Sequence, residues 1–370
     1  KFVKMFQGGE PDYTNTSRVN HCYDPRDAGQ DRNDDTTWLW TINGVLCAAR
    51  IMLSYPDLTV ADFDWDFIAD EAAKADEVVA TKTGTEARSR CSGVWLSESK
   101  RGETMQQVLD SIGAEIVLTD EGLIRIRLID DRPTPEIEFL SQPHVTSFSW
   151  KSGPEAVERP NLCVVKYYSP EINYEMGEVD MTGIAWARID DEVARYGEKP
   201  FTVELPFCFS ASQAQRIARR MSLSARADTG VIRTNMAGLA AWGLTYASIE
   251  DDTAAEMMTC KMAPPRVDDA AGEVEIPFIV WPEMTAWEPS TDEAAAPEQV
   301  PPIENESPLE KPDPPSEYAL VQYIGGGAYE TRIRFLYVDG AATAEAVYRE
   351  YSGGNPGPFQ SMSEYQSEID

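Results

Sequence analysis

The stretch "LPFCFSASQAQRIARRMSLSARAD", residues 205–228, predicts a β-strand that ends and turns directly into an α-helix. Ser210 and Gln213 have the spacing of a capping box, in which two side chains satisfy N–H groups at the start of a helix. Small and apolar residues then recur at helical spacing and predict one buried stripe. The members of this stripe are Ala214, Ile217, Ala218, Met221 and Ala225.

Four arginines point away from that stripe: Arg216, Arg219, Arg220 and Arg226. One interpretation is a basic face open to water. The other is a ridge that docks on an acidic surface of a neighbouring subunit, where guanidinium groups bind carboxylates through paired hydrogen bonds. The sequence leaves both open. Either way, replacing Arg216, Arg219 and Arg220 by Glu is expected to leave the monomer folded.

The composition limits the kinds of partner. The chain has 370 residues, with 32 Lys and Arg against 63 Asp and Glu, a net charge of −31. This length allows two or three domains. Nucleic acid and anionic lipid bind through clustered basic residues, so both are excluded for most of the surface. The content of hydrophobic residues, 42%, is that of a folded protein and not of an acidic disordered tail.

Other features predict neither a membrane segment nor a metal site. No apolar run reaches the roughly 18 residues of a membrane span, and the first residues lack the features of a signal peptide, so stable membrane insertion is not expected. The cysteines form no CxxC pair, which favours reduced, buried thiols. They stand at positions 22, 47, 91, 163, 208 and 260.

Upstream of residue 140, the pattern predicts a compact α+β region. Residues 37–55 are apolar enough for a buried helix or for a strand followed by a helix. Residues 57–79 predict an amphipathic surface helix or a pair of such helices. Next come a strand in "CSGVWL" (91–96), a helix ending at a left-handed Gly113, and a hairpin around "TDEG" (119–122).

The rest of the chain is expected to be rich in strands. Strands are predicted in 145–150, 161–168, 201–207, 231–244 and 257–262, in an antiparallel arrangement because regular crossover helices are missing. A Pro, Glu and Ala composition then predicts an extended linker. Beyond it, glycines at 325–327 and an Asp339-Gly340 turn separate tyrosine-rich strands of a small β-sandwich.

Catalytic and metal chemistry have weak support in the sequence. The segment 31–36 resembles the opening of a calcium loop, but Thr36 stands at the sixth position and Ile42 at the twelfth, where Gly and Glu are expected. Of the two histidines, His21 lies beside Cys22 and near Asp24, but adjacency in sequence is not a spatial triad, and His144 has no nucleophile motif nearby. We therefore predict no catalytic, cofactor-binding or metal-binding residue, no cofactor, and no enzyme activity.

The order of segments over most of residues 1–290 resembles the hub region of the tail tip attachment (J-like) proteins of long-tailed bacteriophages, also called central tail hub or baseplate hub proteins. The similarity includes "RCSGVWLSESKRGETMQQVLDSIGAEIVLTDEGLIRIRL" (90–128) and "ERPNLCVVKYYSPEINYE" (158–175). Its most specific part is "ELPFCFSASQAQRIARRMSLSARADTGVIRTNMAGLAAWGL" (204–244). One departure is "AAWGLTYASIED" (240–251), where the family commonly has a Leu-x-Pro-Gly-Asp turn.

The resemblance implies a structural virion protein that forms a trimeric ring at the distal end of the tail tube. This ring would join the tube to the tip and receptor-binding apparatus and gate the DNA channel. The implied partners are two further copies of the chain, the distal tail protein, other tail tip proteins and the tape measure protein. DNA would be met only in transit, and a host surface receptor stays open as a further partner. The implied location is the virion tail tip, assembled in the host cytoplasm.

The expected fold is α+β and β-rich, with several domains. Tube-like β-barrel or sandwich hub domains with packed helices would precede a C-terminal, fibronectin-like β-sandwich. The expected parts are the end of an upstream segment (1–20), an α+β hub domain (21–140), a β-rich tube-like hub domain (141–290), a Pro/Glu-rich linker (291–315) and the small sandwich (316–370).

Two other functions stay open at this point. The abundance of acids and of predicted strands leaves room for a tail-associated cell-wall hydrolase, either a glycosidase or a peptidase. The tyrosines after residue 315 leave room for a carbohydrate- or receptor-binding module, although a small sandwich core needs aromatic residues equally.

Overall fold

The computed structural model describes residues 21–95, 99–250 and 256–297, together with strands between residues 318 and 361. The chain divides into two compact units, Lys1–Gln299 and Val300–Asp370, and each is described by itself. The expected upstream segment (1–20) and residues 298–315 of the expected linker lie outside the described residues. None of the described helices is long and apolar enough to cross a membrane.

Residues 21–128 form an α+β module around their own core. Individual residues fix the ends of its helices. The Asn43 side chain accepts hydrogen bonds from the first N–H groups of the helix Gly44–Leu53, and Gly113, at φ 67°, ends the helix Arg101–Ile112. Val45, Ile68 and Ile126 are completely buried at the centre. The elements are β1 (His21–Cys22), β2 (Leu39–Trp40), α1 (Gly44–Leu53), α2 (Trp65–Ala75), β3 (Val78–Thr81), β4 (Gly84–Ala87), α3 (Arg101–Ile112), β5 (Ala114–Leu118) and β6 (Ile124–Leu128).

The sequence predicted most of this module. Helix α3, its left-handed Gly113 and the β5–β6 hairpin are confirmed. The strand predicted at 91–96 is wrong for residues 91–95, because their backbone contacts different partners: Cys91 N–H donates to Ile42, and Ser92 N–H donates to Phe207. The β3–β4 hairpin was not predicted, since its burial pattern is largely exposed and gives no apolar alternation.

The remainder of the first unit contains two further sheets. Its elements are β7 (Ile137–Phe139), β8 (Val145–Lys151), β9 (Leu162–Ser169), β10 (Glu175–Glu178), α4 (Asp190–Tyr196), β11 (Pro200–Leu205), α5 (Ala211–Ser224), β12 (Thr229–Thr234), β13 (Tyr246–Glu250), β14 (Met257–Met262), β15 (Arg266–Asp268), β16 (Glu273–Val280) and α6 (Pro289–Asp292). Short 3₁₀ helices occupy 170–172 and 236–241 here, and 35–37 and 60–62 in the first module.

The larger sheet has seven strands in the order β7-β13-β14-β16-β12-β8, with β15 beside β16. Its two outer strands are consecutive in the chain, and Val145 N–H donates to Leu140 C=O between them. Neighbouring strands lie about 4.8 Å apart, so a flat sheet could not bring its edges to one short loop. The sheet is therefore strongly curved. Ile232, Ile249 and Ile276 are completely buried in its core.

The smaller sheet has the order β10-β9-β11 and carries α5 on one face. Strands β9 and β11 are parallel, and so are β7 and β13. The purely antiparallel arrangement predicted from sequence is therefore wrong, because the segments that link these pairs are long enough to cross over. Residues 141–290 consequently hold two cores where one domain was expected.

Two predicted boundaries also change. The strand predicted over 231–244 ends at Thr234, where Asn235 caps the 3₁₀ turn Met236–Ala241. The predicted linker does not run extended from residue 291, because Glu293 and Ala294 are buried. These two residues bind the side chains of α5 described below.

The second unit contains one described five-stranded sheet, in the order β17-β18-β19-β20 with β21 beside β19. Its long strands are antiparallel. The turns predicted at 325–327 and 339–340 lie outside the described residues, apart from Gly327. A fibronectin-like sandwich stays a prediction. The strands are β17 (Tyr318–Ile324), β18 (Gly327–Val338), β19 (Ala341–Ser352), β20 (Asn355–Pro356) and β21 (Gln360–Ser361).

Candidate functional site

Helix α5 starts with half of the predicted capping box. The Ser210 hydroxyl accepts the Gln213 N–H at 3.2 Å, but the Gln213 side chain does not return to Ser210. Its Oε1 instead accepts the Arg90 N–H at 2.8 Å, and its Nε2 donates to the carbonyls of Arg90 and Ser111. This buried amide therefore joins α5 to the first module.

The predicted apolar stripe of α5 is confirmed. Ala214 and Ala218 are completely buried and Ile217 nearly so, while Met221 and Ala225 are partly buried. The stripe packs on the β10-β9-β11 sheet. The strand–helix unit predicted from residues 205–228 thus exists, with its stripe in a core.

The four arginines are not on an open face. Their side chains are between 8% and 17% exposed, and each pairs with a carboxylate from a different part of the same chain. The basic face open to water is therefore a wrong prediction. The pairs are Arg216 with Glu86 at 2.7 Å, Arg219 with Asp292 at 3.3 Å, Arg220 with Asp131 at 3.0 Å, and Arg226 with Glu192 at 2.7 Å.

This burial also overturns the expectation that glutamate at positions 216, 219 and 220 would leave the monomer folded. Each new carboxylate would face the carboxylate that now binds the arginine. The carboxylates of Glu86 and Asp292 are largely shielded from water, so like charges there are strongly unfavourable. Contact of the four arginines with a neighbouring subunit stays a prediction. Within the chain their partners are already supplied.

Glu86 is the most connected of these carboxylates. It accepts hydrogen bonds from the guanidinium groups of Arg90 and Arg216 and from the Ser210 hydroxyl. Its side chain is 10% exposed, so one buried carboxylate compensates two cations. Burial lowers the pKa of Arg216, and the charge of Glu86 opposes that shift.

A cavity of about 380 Å³ lies where α5 meets the first module and the segment after β16. It is bounded by the end of α3, by the residues after β6, by α5 and by residues 285–287. Gly113 allows the close approach here, because a Cβ at that position would collide with Nη2 of Arg220. The cavity is thus formed by segments far apart in sequence.

A second contact joins the first module to the curved sheet. Arg127 on β6 binds Glu136 through two hydrogen bonds, of 2.8 and 3.0 Å. Glu136 also accepts the N–H groups of Thr245 and Tyr246 at the start of β13. Burial alone would raise the pKa of Glu136, but these hydrogen bonds outweigh it and hold the pKa below its usual value.

This contact predicts a pH dependence. A lowered carboxyl pKa in the folded state stabilises the fold above the unfolded value of about 4.3, and the contribution is lost as pH falls through the folded pKa. The Glu136→Gln variant is expected to unfold at a lower temperature than the parent near neutral pH, with a gap that narrows between about pH 5 and pH 3. Thermal melts across that range measure the gap. Glu121→Gln, at an exposed loop position, is the control and should show no such gap; a pH-independent gap for Glu136→Gln would contradict the prediction.

Other residues singled out in the sequence have structural roles. His144 Nδ1 accepts the Leu140 N–H at 3.3 Å, and His21 is exposed. In the calcium-like segment, the carboxylates of Asp31 and Asp34 accept N–H groups of the segment itself. The described residues contain no group of three or more His, Cys, Asp or Glu placed to hold a metal ion.

The cysteines agree with the prediction. All six lie in described residues, none forms a disulfide, and Cys47 alone among them is not fully buried. Burial raises the pKa of Cys163, Cys208 and Cys260 to about 12. These three thiols therefore stay protonated at neutral pH.

Two central residues, Glu71 and Glu86, were missed from sequence, and Gln213 was predicted only as part of a capping box. Glu71 is 2% exposed and accepts the Leu128 N–H at 2.8 Å. Its position, three residues after the buried Ile68, is on the apolar face of α2, and that was a usable signal. Gln213 stands four residues before Ile217 and gave the same signal. Glu86 gave none.

Comparison with known proteins gives structural likeness only. No protein family and no curated protein matches the sequence. A chain from the virion of a native gene transfer agent particle aligns with a TM-score of 0.46 and 16% identity, over 69% of this chain and 49% of that one. A tail protein from Neisseria meningitidis aligns with a TM-score of 0.36 and 11% identity, over 64% and 66%.

A tail protein of prophage MuSo2 from Shewanella oneidensis aligns with a TM-score of 0.31 and 13% identity, over 64% of this chain and 63% of that one. The chain thus spans between about half and two thirds of the length of these solved chains. No function follows from likeness at this level.

Proposed function

We propose that the chain is a structural subunit of the hub at the distal tip of a long-tailed phage tail. The observation that carries the proposal is the place of residues 204–244, where the sequence resemblance is most specific. This segment runs from β11 through α5 into β12 and so connects the smaller sheet to the curved sheet. Through Gln213, Arg216 and Arg220 it also binds the first module. The segment is therefore the joint of the whole first unit.

The proposed assembly is a homotrimeric ring that continues the tail tube and gates its channel. A strongly curved sheet suits a wall segment of such a tube, because curvature is what a closed wall requires. The charge of −31 suits a channel through which DNA passes, since like charge prevents sticking. Proposed partners are the distal tail protein, other tail tip proteins, the tape measure protein and a host surface receptor. The location would be the virion tail tip.

The intrachain ion pairs limit what the four arginines of α5 could contribute to a subunit interface. These arginines are Arg216, Arg219, Arg220 and Arg226. A neighbour would have to reach guanidinium groups that already bind carboxylates of their own chain. A carboxylate of a neighbouring subunit could then bind only the guanidinium N–H groups that the intrachain pairs do not use. The trimer itself does not depend on this contact.

The proposed ring predicts a trimer. Light scattering of the chain across protein concentration is expected to give a particle of three times the chain mass of 41.1 kDa, and with the distal tail protein a heavier complex that contains three copies of the chain. A symmetric ring closes at a fixed number of copies, so the mass should reach a plateau. A chain that stays monomeric under both conditions would contradict the proposal. Release of peptidoglycan fragments or binding of glycan by such a monomer would then favour the hydrolase or the receptor-binding module.

A further inference from the structure

We propose that the cavity beside α5 is a binding site for the carboxylate of an aliphatic ligand. The inference does not rest on the proposed place in a phage tail. A volume of about 380 Å³ is in the range of small-ligand sites. Residues from six separate segments line it, among them Arg132, Arg216 and Trp287.

The charge of the cavity lining favours an anionic ligand. Four arginines and two aspartates line the cavity, an excess of cations in a chain of net charge −31. Three of the arginines hold carboxylates of the chain, Arg88 that of Glu77, Arg216 that of Glu86 and Arg220 that of Asp131. Arg132 is exposed and binds no carboxylate within the described residues. The mouth of the cavity therefore offers an unpaired cation to an anionic ligand.

Two buried N–H donors of residues that line the cavity lack an acceptor. Nε of Arg216 and Nε1 of Trp287 are shielded from solvent, and neither has a hydrogen-bond acceptor among the described residues. Both residues line the cavity. A buried donor without an acceptor is costly, and the oxygens of a carboxylate are strong acceptors for both kinds of N–H.

The apolar and acidic residues of the lining select the class of ligand. The walls also carry apolar side chains, including Ile112, Leu128 and Ile217, which suit a chain of methylene groups. Asp130 and Asp131 on the same walls oppose a phosphate group, which concentrates up to two charges, more than a carboxylate group, which holds one. A Glu side chain of a protein partner and a free aliphatic acid share the required chemistry.

Thermal unfolding of the full chain tests the site. A ligand that binds only the folded state raises the unfolding temperature by mass action. Glutarate is expected to raise it, and glutaramide, its uncharged analogue, is not, with ionic strength held constant by sodium chloride. Arg132→Gln and Trp287→Phe are each expected to weaken the glutarate effect roughly tenfold in apparent Kd, because the first removes the unpaired cation and the second removes the indole N–H donor. Arg195→Gln, at an exposed position away from the cavity, should leave the effect unchanged.

Two further probes fix the source and the class of the ligand. A short blocked peptide with two Glu residues that acts like glutarate points to a protein partner, and glutarate acting alone points to a free acid; both support the site. The proposal is overturned if glutarate and glutaramide act equally, or if all variants respond like the parent. A larger effect of inorganic phosphate than of glutarate would overturn it as well.

Discussion

Replacing Glu86 by alanine is expected to destabilise the first unit by about 3–5 kcal/mol near neutral pH, since removing one partner leaves buried charge uncompensated. Three groups lose their partner in this variant. Arg90 and Arg216 both lose their carboxylate, and the hydroxyl of Ser210, the cap of α5, loses its acceptor. The thermal midpoint should fall by on the order of 10 °C. Differential scanning calorimetry of the full chain measures it.

The matched control is Glu103→Ala. Its partner Lys100 is 81% exposed, and Glu103 itself is 67% exposed. Exposed pairs contribute little, so the change should stay within about 0.5 kcal/mol. A double variant, Glu86→Ala with Arg216→Met, should be less destabilised than the sum of the two single variants, because it also removes one of the unpaired charges. Equal effects of Glu86→Ala and Glu103→Ala would refute the role assigned to Glu86.

Local signals explain which elements the sequence could predict. Helix α3 has apolar residues at helical spacing and a glycine at its end, and the β5–β6 hairpin alternates apolar and charged residues. These signals act within a few residues, so the chain alone contains them. The strand expected at 91–96 is wrong for residues 91–95, because the N–H groups of Cys91 and Ser92 bind two distant segments, at Ile42 and Phe207, and form a ladder with neither. The strand expected at 231–244 is confirmed only as far as Thr234, because Asn235 caps a 3₁₀ helix that follows.

The arginine pairs could not be predicted, because their partners are distant in sequence. Arg216 and Glu86 are 130 residues apart, and Arg226 and Glu192 are 34 apart. With 63 acidic residues, the sequence offers many partners for each arginine and no rule for choosing one. The amphipathic pattern of α5 gave the buried stripe correctly. It also implied that the opposite face meets water, and the first module and residues 285–294 cover that face instead.

Replacing Gln213 by leucine is expected to destabilise the first unit by about 3 kcal/mol, a loss close to that for Glu86→Ala. Gln213 is 1% exposed. Leucine nearly fills its volume, so little of the loss comes from a cavity. The loss comes from one N–H and two C=O groups, of Arg90 and Ser111, that stay buried without a partner. Urea unfolding followed by tryptophan fluorescence measures it.

The same change on an exposed helix face separates this effect from helix propensity. Gln106 on α3 is exposed, and its side chain binds only Asp110. Gln106→Leu should therefore alter stability by less than about 0.5 kcal/mol. Because Gln213 and Glu86 both contact the Arg90–Ser210 region, the double variant Glu86→Ala with Gln213→Leu should lose less than the sum of the two single losses. If instead the losses add and Gln213→Leu matches Gln106→Leu, Gln213 does not join α5 to the first module.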